Sequence, residues 1–388
     1  MNGKILIFQR TLTHYRLDVF RKLYQKFGAI LCFGKKGPKN TFLSIVEPGF
    51  PHLKIMNFYP FPKKETFCFL YIFTPLIKYR PDIIITEFSL LIISNYLLLL
   101  LRPFLKYKLI LWSHGYNRKK GFNPHNSFGD KLRVWWINKA DAIILYGQKG
   151  KRLIEPYIKD KRKIFIAPNT LNTDKLLAIR NKLERKGKQI IKNELGFKSK
   201  YNLIFIGRLL KEKEPDKAIE VFSLVQKKIK DIEFHFIGDG PMKNRLEIMS
   251  KNLGISDKVR FWGPVTCDEK TGKLLYTSDM MVMPGCVGLA IVHSFCFDCP
   301  VITQSSDGND PPYHSPEIQY LINGKTGFFV SYGDNKKMAD AIVEYLLDEG
   351  KQKEMKKEIR YMVENKCSIE NMIRGVKEAI EYLSAKTE

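Results

Sequence analysis

Short apolar runs, separated by polar stretches of helical character, recur along the chain. In the first half they are KILIF (4–8), AILCFG (29–34), DIIIT (82–86), KLILW (108–112), AIILY (142–146) and KIFIAPN (163–169). The segment Tyr15–Phe27, between the first two runs, is typical of a helix. Strands this apolar alternate with helices when a parallel sheet is covered on both faces. The first half therefore predicts a doubly wound α/β domain.

The same alternation starts again after residue 172. A polar helical stretch at 173–196 precedes the second series of runs, which are NLIFIGR (202–208), EFHFIGDG (233–240), KVRFWG (258–263), MMVMP (280–284), PVITQ (300–304) and GFFV (327–330). Further helices are expected at Pro215–Lys230, Lys336–Leu347 and Ser368–Leu383. Two such series predict two Rossmann-like domains, 1–172 and 173–370. Residues 371–388 are then a C-terminal helix that can pack back on the first domain.

The positive charge is concentrated in the first half. Residues 1–185 hold 34 Lys and Arg against 11 Asp and Glu, whereas residues 186–388 hold 31 against 29. This asymmetry indicates an anionic partner for the first half, either nucleic acid or an anionic membrane surface, although a merely solvated surface also explains it.

Two apolar segments lie close to this charge. The stretch Phe88–Leu101 is shorter than the roughly 20 residues that span a bilayer, which favours a buried core helix over partial insertion into a membrane. The aromatic and basic segment Phe58–Phe73 fits either a loop that enters a membrane interface or a core strand with its lead-in.

The seven cysteines are scattered and odd in number. Cys296 and Cys299 form one C-x-x-C without a second pair, and no histidine has the spacing of a zinc ligand. No secretory signal is recognisable at the start of the chain. We therefore expect free thiols in a reducing cytoplasm and no metal site.

Two loops after strands of the second half have the chemistry of a diphosphate site. Gly207 allows a tight turn, after which Arg208 and Lys213 extend from one short loop. Two fixed cations at the end of a parallel strand suit a diphosphate. The second loop is PGCVGL (284–289), where Gly285 and Gly288 allow the backbone to approach a ligand closely.

The order and spacing of several segments between residues 205 and 330 resemble retaining glycosyltransferase family 4, of the GT-B architecture. These segments are FIGRLLKEKEPDKAIE (205–220), FHFIGDGPMKNRLE (234–247), VRFWGPV (259–265), YTSDMMVMPG (276–285), CPVIT (299–303) and PEIQYLINGKTGFFV (316–330). The resemblance implies an α/β fold of two doubly wound Rossmann-like domains that face a cleft.

The resemblance also implies roles for residues of the second half. Arg208 and Lys213 would bind the donor diphosphate as catalytic cations, and segment 261–263 would lie near the nucleotide base. The substrate-binding residues expected here are Gly207, Trp262, Gly263, Gly285, Val287, Gly288, Leu289, His293 and Glu317.

One departure from the family concerns two acidic residues. The family usually has Glu, seven residues and a second Glu across the PGCVGL region; the first contacts the donor sugar and the second the ribose. Gly285 and His293 occupy these positions here. Gly285 offers no side chain to a sugar, whereas His293 can hydrogen-bond a ribose or a phosphate. The departure indicates a different donor sugar, a divergent branch or an inactive enzyme.

The first half resembles the family more weakly. His114, after the KLILW strand, matches a histidine that lines the sugar site and is expected to be catalytic. The other substrate-binding candidates in this half are His14, Arg16, Asn117 and Arg118. They are expected to contact an anionic acceptor or a phosphate.

The resemblance implies transfer of a sugar from a nucleotide-sugar donor to a hydroxyl of a glycan or lipid-linked oligosaccharide, with retained configuration and without a metal or other cofactor. We expect a hexosyl- or deoxyhexosyltransferase of cell-surface polysaccharide (capsule, O-antigen) synthesis, peripheral at the cytoplasmic face of the cell membrane. Its expected partners are a nucleotide sugar, a glycan or polyprenyl-linked acceptor and an anionic membrane surface, but no nucleic acid.

Three alternatives compete with this interpretation. A nucleotide-sugar epimerase or a phosphorylase shares the GT-B architecture, and product analysis separates these from a transferase. A basic nucleic-acid-binding protein fits the charge, but no recognition helix or aromatic-basic module is evident. A nicotinamide-dependent oxidoreductase is disfavoured because neither first strand is followed by G-x-G-x-x-G.

Overall fold

A computed structural model of the protein describes residues 3–34, 47–61, 67–305 and 312–385. The chain divides into two units: unit 1 contains Met1–Asn117, Phe122–Asn172 and Ile369–Glu388, and unit 2 contains Arg118–Gly121 and Thr173–Ser368. Part of the aromatic and basic segment Phe58–Phe73, residues 62–66, lies outside the described residues.

Unit 1 is built on a parallel sheet of seven strands within the described ranges, in the order β3-β2-β1-β6-β7-β8-β9. The strands of unit 1, including the antiparallel pair β4–β5, are β1 (Ile5–Gln9), β2 (Ile30–Gly34), β3 (His52–Ile55), β4 (Asn57–Phe58), β5 (Phe69–Leu70), β6 (Ile83–Glu87), β7 (Lys108–Ser113), β8 (Ala142–Leu145) and β9 (Ile164–Ile166). Alternate residues of the sheet enter two buried apolar clusters, one on each face. The continuous apolar runs therefore predicted the central strands because both faces of the sheet are covered.

Helices connect these strands. They are α1 (Leu17–Phe27), α2 (Phe73–Tyr79), α3 (Ile93–Leu105), α4 (Phe128–Lys139) and α5 (Gln148–Ile154). The helix expected at Tyr15–Phe27 begins instead with a 3-10 turn at His14–Arg16, and α1 ends at Gly28, whose φ of 63° stops it.

The prediction of a buried core helix at Phe88–Leu101 was wrong in its bounds and in the burial of one face. The helix runs from Ile93 to Leu105, and its inner face is buried at Leu98. Its outer face is not, because Leu100 is 65% exposed and Phe104 is 78% exposed. Hydrophobicity around the whole helix concealed which side faces water. Within the described ranges no helix is long and apolar enough to cross a membrane.

Unit 2 repeats the architecture with six parallel strands among the described residues, in the order β12-β11-β10-β13-β14-β15. Its strands are β10 (Tyr201–Ile206), β11 (Ile232–Ile237), β12 (Val259–Phe261), β13 (Met280–Val282), β14 (Val301–Gln304) and β15 (Gly327–Val330). Its helices are α6 (Thr173–Lys186), α7 (Lys188–Leu195), α8 (Pro215–Lys228), α9 (Lys243–Asn252), α10 (Asp268–Thr277), α11 (Ala290–Cys296), α12 (Asn335–Leu347) and α13 (Glu349–Asn365). The polar stretch 173–196 is two helices because Gly187, at φ 91°, interrupts it.

The last helix, α14 (Ile369–Ser384), belongs to unit 1. Its buried face, which includes Ile373 and Val376, joins one of the two apolar clusters of that unit. Gly375 lies directly on β9, where a Cβ would approach the carbonyl oxygen of Ile166 to 2.0 Å. The helix therefore completes the covering of the unit 1 sheet.

Candidate functional site

The loop after β10 turns sharply at the carboxyl edge of the unit 2 sheet. Gly207 has φ 155°, and the backbone N–H of Leu209 donates to the carbonyl oxygen of Asp239 over 2.9 Å. Gly238 follows the neighbouring strand, and a Cβ there would lie 1.9 Å from the Gly207 oxygen. This packing holds the loop while leaving the side chain of Arg208 exposed.

Lys213 ends a 3-10 turn in the same loop and points into the protein. Its Nζ donates a hydrogen bond to the carbonyl oxygen of Cys286, in the loop after β13. Burial lowers the pKa of Lys213, although the nearby thiol of Cys286 and the carboxylates of Glu212 and Glu317 act in the opposite direction. Glu317 itself is only 2% exposed, at the start of the 3-10 helix Pro316–Tyr320.

Gly285 brings the two loops into backbone contact. Its N–H donates to the carbonyl oxygen of Lys213 over 3.2 Å, and the N–H of Cys286 donates to that of Glu212 over 2.9 Å. A Cβ on residue 285 would lie 2.3 Å from the backbone carbon of Lys213. Residue 285 is therefore glycine for a packing reason that the sequence did not reveal.

The backbone after Gly285 leaves several donors available. In the part of the chain that the structure describes, no hydrogen bond is donated by the N–H groups of Gly288, Leu289 or Ala290. Val287 differs from them because its side chain is fully buried and its N–H donates to Nδ1 of His314 over 3.1 Å. Gly288 and Leu289 can therefore meet an anion, whereas Val287 is engaged within the protein.

His293 lies on α11 and faces a carboxylate from another helix. Its Nε2 is 3.5 Å from Oδ1 of Asp268, the first residue of α10. Lys175 donates to the other oxygen of Asp268 over 2.7 Å. The nearby imidazole of His293, and then the hydrogen bond from Lys175, hold the pKa of Asp268 well below its usual range despite partial burial. Sequence reasoning missed Asp268, because only the tertiary fold brings α10 against α11.

Trp262, expected near a nucleotide base, is tied to the interior of unit 2. Its indole N–H donates to Nδ1 of His235 over 3.4 Å, and the guanidinium of Arg260 lies 4.1 Å from the ring centroid. The carbonyl oxygen of Gly263 accepts from Gly238 N over 2.9 Å. A ligand at this edge would therefore meet the tryptophan ring and not its N–H.

In unit 1, a second group of polar and aromatic side chains lies beyond β7 and β8. The His114 ring centroid is 5.0 Å from that of Tyr146. The guanidinium of Arg16 lies 4.9 Å from the Tyr146 ring centroid and 5.7 Å from that of Trp112. Tyr146, which the sequence analysis did not identify, thus lies against both His114 and Arg16. Burial raises the pKa of Tyr146.

An ion pair at the same edge was also missed. Arg10 follows β1, Glu87 ends β6, and the two side chains form a salt bridge in addition to the Arg10 Nε bond of 2.9 Å. Burial would raise the pKa of Glu87, but the Arg10 guanidinium outweighs it, so the pKa lies below the usual range. Charged residues at the ends of two apolar runs were the available signal, but only the strand order β1–β6 makes them neighbours.

The remaining candidates are more exposed. His14 is exposed, and its ring contacts Tyr15 edge-on, with centroids 5.5 Å apart. Asn117 is exposed at the end of a unit 1 segment. Arg118 belongs to unit 2, where its Nη1 donates to Ser315 Oγ over 2.6 Å. The structure does not bring His14 into the group around Tyr146.

Metal ligands and thiols give no further site within the described ranges. No three His, Cys, Asp or Glu side chains there are grouped as metal ligands. Cys296 and Cys299 are free and buried, and burial raises the pKa of both thiols. They pack as small apolar side chains.

Comparisons with known proteins show what the chain is similar to. Residues 187–362 match the family model of glycosyl transferases group 1. The chain is 25% identical over 274 residues to an uncharacterized glycosyltransferase of Methanocaldococcus jannaschii, covering 66% of this chain and 63% of the relative. It is 23% identical to the capsular polysaccharide biosynthesis glycosyltransferase CapM of Staphylococcus aureus, covering 59% and 58%.

The matched parts therefore span less than two thirds of these relatives. Among solved structures, HepE of Anabaena in complex with UDP superposes with a TM-score of 0.71 at 14% identity, covering 97% of this chain and 99% of that one. The fold class expected from the sequence, α/β of the GT-B type, is confirmed.

Proposed function

From the match of residues 187–362 to the family model of glycosyl transferases group 1, we propose that this protein moves a sugar from a nucleotide-sugar donor to a hydroxyl of a glycan or lipid-linked oligosaccharide. The transfer retains the configuration at the anomeric carbon and needs no metal ion. The donor binds to unit 2, and the acceptor binds to unit 1, which carries His114 and Arg16.

The observation that carries this proposal is the placement of Lys213. Its ammonium is held on the carbonyl of Cys286, in the same loop as the available N–H groups of Gly288 and Leu289. Because burial lowers its pKa, this cation is poorly compensated in the free protein. A donor diphosphate supplies the missing negative charge, and the exposed Arg208 adds a second, planar donor.

The same groups stabilise the transition state. As the bond from the anomeric carbon to the diphosphate oxygen breaks, negative charge grows on the leaving phosphate. Cations and N–H groups fixed in advance favour that charge without reorganising, which is a large term in enzyme catalysis. The departing phosphate then accepts the proton of the acceptor hydroxyl, so no strong enzyme nucleophile is needed. Chelators are expected to leave the rate unchanged.

The relatives suggest the donor and the pathway. HepE was solved with UDP, and CapM is a capsular polysaccharide enzyme. We propose a nucleoside-diphosphate hexose or deoxyhexose as donor and cell-surface polysaccharide synthesis as the pathway. An acceptor on a polyprenyl carrier lies at the cytoplasmic face of the cell membrane, where the excess of 34 basic over 11 acidic residues in 1–185 favours an anionic surface.

The test is thermal unfolding with a panel of nucleoside diphosphates and nucleotide sugars. One compound at 100 times its Kd should stabilise the protein by about 2.7 kcal/mol. Arg208→Ala and Lys213→Ala should each abolish that shift. Lys211→Ala removes an exposed cation from the same loop and is the matched control.

Two outcomes would contradict the proposal. One is a shift that survives both Arg208→Ala and Lys213→Ala. The other is a product analysis in which the donor is epimerised without an acceptor, or in which phosphate is consumed.

A further inference from the structure

A groove lies between α3 and α4 of unit 1, near the amino end of strand β7, whereas His114 lies beyond the carboxyl end of that strand. It has a volume of about 820 Å³. It includes Tyr107 and Lys108, at the start of β7, whereas His114 follows the end of that strand. Because β7 has six residues, its two ends are about 17 Å apart. The groove is therefore separate from the candidate site.

The walls of this α3–α4 groove are apolar and partly exposed. Leu100 of α3 is 65% exposed and Trp135 of α4 is 45% exposed, and both line the groove with Leu99 and Pro103. Next to it on α3, Phe104 is 78% exposed. Exposed apolar side chains on two adjacent helices form a patch whose contact with water is energetically unfavourable.

The exposed residues are arranged in stripes along both helices. On α3, the residues Tyr96, Leu100 and Phe104 are four positions apart and share one face. On α4, Phe128 and Trp135 are seven positions apart, which is two turns. The helices are packed together, because the rings of Tyr96 and Trp136 have centroids 5.0 Å apart. The two stripes therefore form one surface.

The rim of the groove is cationic. Lys106, Lys108 and Lys139 line it, and within the described ranges no carboxylate forms an ion pair with them. The fourth cation, Arg102, is already bound to Asp141 over 2.6 Å and to the Lys139 carbonyl oxygen. Three uncompensated ammonium groups around an apolar groove match an anionic headgroup attached to an acyl chain.

We propose that the α3–α4 groove binds an anionic phospholipid of a bilayer, with the phosphate at Lys106, Lys108 and Lys139 and an acyl chain against Leu100 and Trp135. Phe104 enters the interface beside it. The lipid is an anchor and not the acceptor, because the groove opens at the sheet edge away from His114. This inference rests on the proposed function, because it assigns a binding site to the membrane partner proposed there. Lipid binding itself can be measured without enzymatic turnover.

The probe is vesicles of phosphatidylcholine with or without phosphatidylglycerol, and the first readout is tryptophan fluorescence with lipids brominated in the acyl chain. Trp112 and Trp136 are fully buried, whereas Trp135 lines the groove. Brominated phosphatidylglycerol should quench the wild type, and Trp135→Phe should remove most of the quenching. Equal quenching in wild type and Trp135→Phe would overturn the proposal.

The second readout is co-sedimentation of variants. Lys106→Gln with Lys139→Gln should weaken binding to the anionic vesicles about 30-fold, since each lysine near the surface contributes about 1 kcal/mol. Leu100→Ser with Phe104→Ser should weaken binding at least about ten-fold at both low and high salt, since this term is hydrophobic. These side chains are mostly exposed, so we expect the variants to fold.

Matched controls come from unit 2. Ile248 is 58% exposed on α9, and Lys251 is an exposed lysine of the same helix. Ile248→Ser and Lys251→Gln should bind vesicles like the wild type. If they weaken binding as much as the groove variants, attraction is general and the site is refuted. Each groove variant should keep its nucleotide-induced thermal shift, so a failure of the groove is distinguishable from a failure of the proposed function.

Discussion

Gly285 packs directly on the backbone of Lys213: its N–H donates a hydrogen bond to the Lys213 carbonyl oxygen, with 3.2 Å between nitrogen and oxygen. Glycosyltransferase family 4, which the sequence resembles, usually has a glutamate at this position. Here a Cβ on residue 285 would lie 2.3 Å from the backbone carbon of Lys213. The loop that carries Lys213 occupies the space where that side chain would begin. Glycine at residue 285 therefore allows the close approach of the loop that buries Lys213.

Gly285→Ala should therefore destabilise the protein by roughly 1–3 kcal/mol, because the two loops must separate. Gly288→Ala is the control, since among the described residues its Cβ would meet the Ser315 side chain, at 3.4 Å from Oγ and 3.8 Å from Cβ. Urea unfolding measures both. An unchanged midpoint for Gly285→Ala would show that the loops do not pack as closely as described.

Lys213→Met should stabilise the free protein while removing nucleotide binding. Burial lowers the pKa of Lys213 in the folded state, so at neutral pH its charged ammonium destabilises the folded protein relative to the unfolded chain. Between that pKa and 10.5 the unfolded chain binds more protons, and stability rises with pH through this window.

Removing the ammonium should raise the unfolding free energy at pH 7, because the desolvation of a buried charge is removed with it. Thermal unfolding with and without UDP provides the measurement, and Lys211→Met, in an exposed position, should change neither quantity. A destabilised Lys213→Met that still responds to UDP would refute both parts.

His293→Glu, which restores the second family glutamate, should not restore a typical site. The new carboxylate would face Asp268, whose Oδ1 lies 3.5 Å from His293 Nε2. Two carboxylates at this distance repel, so we expect a loss of about 1 kcal/mol and weaker nucleotide binding.

The double variant His293→Glu with Asp268→Asn should recover stability, and Asp268→Asn alone should lose it. A double-mutant cycle in unfolding free energy gives the coupling. Additive effects within experimental error would mean that the two side chains do not interact.

His235 should make stability fall with acid. It is fully buried, with Nε2 3.1 Å from the Asn202 side-chain oxygen and its ring stacked on Phe197 at 3.9 Å. Burial, and secondarily Arg260 and Lys192, lower its pKa to about 3. Below pH 6.5 this histidine binds a proton in the unfolded chain but stays neutral in the folded protein.

The unfolding free energy should then decrease by about 1.4 kcal/mol per pH unit from this group between pH 6 and 4. His235→Phe keeps a ring but cannot titrate, so its pH slope should be smaller by that amount even if its absolute stability is lower. Parallel pH profiles of the wild type and His235→Phe would contradict the prediction.

The parts of the site that sequence reasoning located are those encoded by one segment. Arg208 and Lys213 share a loop, and Gly285 and Gly288 share another, so their proximity needs only the strand that precedes each loop. Asp268, Tyr146 and the Arg10–Glu87 pair were missed because each depends on which strands or helices are neighbours. The roles of all these residues in binding remain predictions.

The sequence by itself determined the alternation of strands and helices, the two-unit architecture and the location of the two glycine-bearing loops that we propose as the phosphate site. Continuous apolar runs and glycine-bearing turns are local signals, and burial on both faces of a parallel sheet makes them unambiguous. Tertiary structure alone decided that Gly285 accommodates the Lys213 loop, that His293 meets Asp268 and that α3 leaves Leu100 and Phe104 exposed. Each of these depends on distances between segments far apart in the chain, and a local pattern of apolar and polar residues contains no information about such distances.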